Sequence, residues 1–110
     1  MTDFWIKQND RLSALAATLK DTAGVAVDIS GATVKFNMML DGSTTTKISS
    51  TSGVTIVSST AGTVSYAWST GATDTIGLFK GEFEVTFGSG LTQTFPNNSH
   101  IDIQVFNDIA

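Results

Sequence analysis

The chain has 110 residues, of which 41% are hydrophobic and 15% charged, and its net charge is -4. That length and apolar content point to one domain over residues 1–110, with a sizeable core, and exclude a disordered tail. The acidic balance excludes a basic groove for nucleic acid, and the absence of cysteine excludes disulfides, thiolate nucleophiles and zinc-thiolate sites.

In chain order, residues 1–10 show neither the basic start nor the apolar stretch of a signal peptide, and the apolar runs elsewhere are too short to span a bilayer. Neither export nor membrane insertion is expected. Phe4, Trp5 and Ile6 form an apolar cluster that is either the first strand of the fold or a dock for another subunit. Residues 12–19 contain good helix formers, with Leu12, Leu15 and Leu19 three and four apart. The segment is short, however, ends at Asp21-Thr22-Ala23-Gly24 and precedes strand-like sequence, so a strand is expected there. Residues 25–29 are a further short extended piece.

Thr33–Leu40 alternates, with Val34, Phe36, Met38 and Leu40 on one face and Lys35 and Asn37 on the other; Met39 is an apolar exception on the wet side. Asp41-Gly42 marks a turn, and the Ser/Thr-rich segment 43–52 reads as a mobile connection or a weak edge strand. Segments 53–57 and 63–68 follow, the latter with Val64, Tyr66 and Trp68 facing the core, and 69–75 is a loop.

The stretch GLFKGEFEVTFGSGLTQTFP, residues 77–96, is a hairpin. Phe79, Gly81, Phe83, Val85 and Phe87 share the buried face, and Lys80, Glu82, Glu84 and Thr86 share the wet one. Gly90 suits the left-handed position of a three-residue loop, which pairs Phe87 with Leu91 and Phe83 with Phe95, and Pro96 closes the second strand. Ile101, Ile103 and Val105 then alternate with Asp102, Gln104 and Phe106. Seven to eight short strands separated by turn formers describe an all-β antiparallel sandwich.

Chemistry-bearing residues are scattered. Glu82 and Glu84 lie about 7 Å apart on one wet face, near the spacing glycosidases use, but nothing apolar surrounds them to raise one pKa; they read as a solvated face. His100 is the lone histidine, without triad or metal partners in sequence, and reads as a loop residue. Asp21, Asp28, Asp41 and Asp74 lack Asp-x-Asp-x-Asp spacing and read as turn formers. With no glycine-rich phosphate loop and no nucleophile elbow, no catalytic, cofactor-binding or metal-binding residues are expected.

The run Ala17-Thr18-Leu19, Asp21, Gly24, Val27-Asp28-Ile29, Gly31-Ala32-Thr33-Val34, Phe36 and Met38 resembles the N-terminal domain of the phage baseplate upper protein family. Gly62, Val64, Tyr66, Trp68, Asp74-Thr75, Gly77, Phe79, Glu82-Phe83-Glu84-Val85-Thr86-Phe87 and Phe95-Pro96-Asn97 continue the resemblance, which spans about residues 12–105. It implies an immunoglobulin-like β-sandwich in a tailed-phage virion, with no catalytic residues to carry over. Family members often have tyrosine where this chain has Phe79, at a place like the tyrosine corner.

The expectation is therefore a non-enzymatic structural or adaptor protein of a phage particle, at the tail, baseplate, neck or capsid, assembled in the host cytoplasm. Its partners would be other virion proteins or a second copy of itself, with no nucleic acid, membrane or cofactor. Candidate interface residues are Phe4, Trp5, Ile6, Met39, Phe106 and Ile109. Open edge strands offer another route, by strand addition. The alternatives are a carbohydrate-binding module for host-surface recognition, which needs Trp5 or Tyr66 exposed, and a hydrolase using Glu82 and Glu84.

Overall fold

A computed structural model describes residues 4–12, 14–69, 71–96 and 100–107; the expected contact residue Ile109 lies outside them, as does Asn97. Alternating apolar positions become extended backbone with one face buried. The clearest cases are β3 (Thr33–Leu40) and β7 (Gly77–Thr86), paired antiparallel from Thr33↔Thr86 to Leu40↔Phe79. Because β3 occupies one edge of β7, β8 (Thr92–Phe95) and β9 (Ile101–Phe106) share the other. Adding β1 (Phe4–Lys7) and β4 (Thr46–Ser50) gives a six-stranded sheet, ordered β1-β9-β7-β3-β4 with β8 also on β7. The opposing sheet is β2 (Leu15–Thr18), β6 (Thr63–Tyr66) and β5 (Val54–Ser58), in the order β2-β6-β5. The architecture is all-β and sandwich-like, and among the described residues it contains no helix, hence none long and apolar enough to cross a membrane.

Three details differ from the sequence expectation. There are nine strands among the described residues, because the terminal cluster forms β1 and the Ser/Thr-rich segment forms β4. The fold is not purely antiparallel: β1 runs parallel to β9. No tight hairpin joins these strands from opposite ends of the chain, so nothing forces them antiparallel. Residues 25–29 form no strand; Lys20↔Ala26 is a single bridge, and Asp21 Oδ1 accepts from the Ala23 and Val25 N–H groups at 2.9 and 3.0 Å to turn the chain.

Leu40, at the end of β3, is exposed although it shares parity with the core, while other expectations hold. Residues 12–19 contribute a strand, not a helix, and 43–52 contributes the edge strand β4. In the hairpin, Phe83 faces Phe95, Phe87 N–H donates to Leu91 C=O at 2.8 Å, and Gly90 takes φ 92°, though Leu91 stays exposed at the tip.

The core is aromatic at its centre. Phe36 and Phe83 come from the six-stranded sheet, Tyr66 from β6 and Trp68 from the residues just after it, and all four are buried. The Phe36 ring lies 4.5 Å from Tyr66, 5.1 Å from Phe83 and 6.1 Å from Trp68, centroid to centroid. Gly81 makes room for it: a Cβ there would sit 3.1 Å from the Phe36 ring and 2.8 Å from Ile103 Cδ1. Gly81→Val sets a gain in strand propensity of up to about 1 kcal/mol against overpacking of about 1–3 kcal/mol. The Phe36 ring is held by aromatic neighbours and cannot retreat, so net destabilisation is expected. Urea unfolding checks it, and a Gly81→Val midpoint at or above wild type would contradict the packing argument.

Candidate functional site

Strand parity divides the terminal apolar cluster. β1 and β9 pair in register, Phe4↔Ile103, Trp5↔Gln104, Ile6↔Val105 and Lys7↔Phe106. Ile6, Ile103 and Val105 are buried, Ile6 being 7% exposed, so Ile6 is a core residue and not the contact residue expected from the sequence. Phe4 is half-buried, its ring 5.7 Å from Trp68. Trp5 and Phe106 take the opposite face and remain 60% and 43% exposed.

A third apolar side chain joins them. Leu12 is 99% exposed, and Trp5, Ile6, Lys7, Asp10, Leu12 and Phe106 line a depression of about 350 Å³. The sequence reading placed Leu12 at the start of a core strand, but β2 begins only at Leu15. The signal nearest to it is Asn9-Asp10, a turn-favouring pair that places Leu12 within a connection after β1.

The residues that lead to Leu12 are anchored to β9 and to the 73–74 loop. Gln8 N–H donates to Phe106 C=O at 2.7 Å and Asn9 N–H to Thr73 C=O at 2.9 Å, with Asn9 in the left-handed region at φ 67°. The buried Thr73 hydroxyl returns a bond to Asp10 C=O at 2.8 Å, and Gln8 Nε2 reaches Asp74 C=O at 2.8 Å. Asp74 Oδ1 accepts from Lys47 Nζ at 2.7 Å, tying β4 to the same end. The hydrogen bond from Lys47, then that from the Thr75 hydroxyl, holds the Asp74 carboxyl below the usual carboxylate range. Residues 8–10 are thus held in place by the protein's own hydrogen bonds.

Met39 lies elsewhere. It lines a second depression, of about 470 Å³, on the outer face of the six-stranded sheet with Lys35, Asn37, Lys80, Glu82, Glu84 and His100. Here Lys35 faces Glu84 with 4.0 Å between charges, Asn37 faces Glu82, and Met39 faces Lys80. Lys80 reaches Asp41 at 3.2 Å, and His100 Nε2 lies 2.9 Å from Asp102 Oδ1. The glutamates lie on an open face opposite polar β3 partners. Among the described residues no three His, Asp or Glu side chains gather as a metal ion requires. Of the other aspartates, Asp28 takes the Ser30 hydroxyl at 2.6 Å and its N–H at 2.9 Å, closing a turn.

Chemically, the Trp5 end offers two aromatic rings and Leu12 with charged Lys7 and Asp10 beside them. No known family model matches the chain, and no curated protein and no solved structure matches it.

Two outcomes follow from this geometry. Trp5→Ala should change stability by less than about 0.5 kcal/mol, as at ordinary surface positions, whereas Ile6→Ala should cost about 2–5 kcal/mol; denaturant melts of the two variants separate surface from core. For pH, the folded pKa of Asp74 lies below its unfolded value. Its contribution is therefore present above the unfolded value and is lost as pH falls through the folded one. Asp74→Asn should differ from wild type at neutral pH and converge with it well below the ordinary carboxylate value of about 3.9, as read by urea unfolding across an acid series.

Proposed function

We propose that this chain is a non-enzymatic structural adaptor of a tailed-phage virion, at the tail, baseplate, neck or capsid, acting through protein–protein contacts. The observation that carries the reading is the convergence of exposed Trp5, Leu12 and Phe106 on one anchored end of the sandwich. Exposed large side chains of this kind, held on a hydrogen-bonded platform, behave as contact anchors. A stable contact there would bury on the order of 1,600 Å², counting both partners.

Two further points support the finer reading. The order β9-β7-β3-β4 facing β2-β6-β5 corresponds to strands G-F-C-C′ facing B-E-D of an immunoglobulin-like variable-type domain. The resemblance to the baseplate upper protein family supplies the virion setting. A second reading, a carbohydrate-binding module, draws on the exposed Trp5 beside Asp10, since a flat ring next to a carboxylate suits a sugar; Tyr66, the other aromatic such a module could use, is buried.

The test is mass spectrometry of purified phage particles from a phage that encodes the chain, in wild type and with Trp5→Ala plus Phe106→Ala. The wild-type chain should be a stoichiometric component, and the double variant should be lost from particles while its thermal melt is kept. Absence of the wild-type chain from particles overturns the proposal. A glycan-array signal that disappears with Trp5→Ala transfers the site to carbohydrate recognition.

A further inference from the structure

The three-stranded sheet ends in β5, and among the described residues no strand pairs with the outer side of β5. Natural sheets protect such edges with charge, proline, a covering segment or a bulge. The other edges here are protected in those ways. β1 carries Lys7, β4 carries Lys47 bonded to Asp74, and β8 is closed by Pro96. β2 is short, four residues, and just past it the chain folds back on residues 19 and 20, through Lys20↔Ala26 and the Val27 N–H to Leu19 C=O bond of 2.8 Å.

β5 has much less. Its sequence Val54-Thr55-Ile56-Val57-Ser58 contains four β-branched residues in a row, no charge and no proline, and Val57 is 65% exposed. Its single irregularity is a bulge between Ile56 and Ser58, which leaves Val57 as the extra residue and confines the regular edge to Val54–Ile56. The surroundings are just as bare. The chain has 6 Lys and Arg and 10 Asp and Glu, yet none of these, nor its histidine, falls in residues 48–73.

Backbone polarity sets how the edge can be used. Gly53 C=O accepts from Ala67 N–H at 2.9 Å, so the alternation of an antiparallel ladder turns Thr55 toward β6 and Ile56 away from it. The N–H and C=O of Ile56 therefore face outward, and desolvating them without partners would be costly.

We infer that β5 is a self-association edge, at which a second copy of this chain adds its own β5 antiparallel, about a two-fold axis through Ile56. The axis sets the N–H and C=O of one Ile56 against those of the other, and the β-branched residues of the two strands pack beside them. A second copy is the occupant favoured by charge. Each chain carries a net -4, which opposes association through its charged surface, whereas this strip brings no charge into the contact. The partner strand must be extended, uncharged and β-branched, and the chain itself supplies one. The union joins two three-stranded sheets into one of six strands. It uses a surface separate from the Trp5 end and does not depend on the virion reading.

The experiment combines sedimentation equilibrium with amide hydrogen exchange on the full chain over a concentration series. Expected are a rise in mass from 11.6 kDa toward twice that value and slowing exchange of the Ile56 amide as concentration rises. Val57→Lys places one lysine on each side of the axis and should leave a monomer at every concentration with an unchanged thermal melt. Should that variant melt early, Thr55→Lys makes the same test from the neighbouring exposed position. A wild-type chain that stays monomeric throughout overturns the inference. So does a dimer that survives both lysine variants, or one abolished by Trp5→Ala instead. An Ile56 amide protected only within assembled particles would give the edge to another protein's strand and equally overturn self-pairing.

Discussion

The ring of Phe36 joins the two sheets. It lies against Phe83 of its own sheet and against Tyr66 and Trp68 across the interface, so it is the point where the layers are in register with each other. Burying such a ring contributes about 1.5–3 kcal/mol, and each well-placed aromatic neighbour adds about 0.5–1.5 kcal/mol. Against a total stability of about 5–15 kcal/mol for a domain of this size, that one contact is a large share. It exists only because β7 carries Gly81 on its inward face, where any side chain would meet Ile103 or the ring itself.

That constraint reaches the molecular surface through parity. With Phe36, Phe79 and Phe83 turned inward, every residue paired beside them is committed to one face, and the commitment passes across β9 to β1. Ile6 is carried inside and Trp5 outside by the same rule. A contiguous apolar triplet in sequence is therefore divided into two parts of the core and one part of the surface. The exposed part gains its neighbours from Phe106, paired with Lys7 on the same outer face, and Leu12, whose preceding residues are bonded to residues 73 and 74.

The two outer faces are chemically unequal. Lys35 with Glu84, Lys80 with Asp41 and His100 with Asp102 belong to the six-stranded sheet and its loops, whereas β2, β5 and β6 contain no charged residue. Exposed pairs of that kind contribute at most about 1 kcal/mol each. Their consequence is for association: one face is hydrated and patterned with charge, and the other offers small hydroxyls, methyls and an open backbone edge.

The sequence by itself determined most of the secondary structure, because a two-residue period is a local property that needs no partner to be read. β3, β7, the Phe83–Phe95 register and the inward placement of Val64, Tyr66 and Trp68 were all legible in this way. It did not determine where the short terminal pieces go. Phe4-Trp5-Ile6 has too few residues to show whether it pairs, and its parallel partner lies about a hundred residues away at the other end of the chain. Nor did periodicity reveal that Leu12 stands outside a strand, or that β5 is left at an edge while β6 is not. Those outcomes depend on which strands become neighbours, a choice made by long-range packing of the two sheets, and neighbourhood is what turns an apolar side chain into core or contact surface.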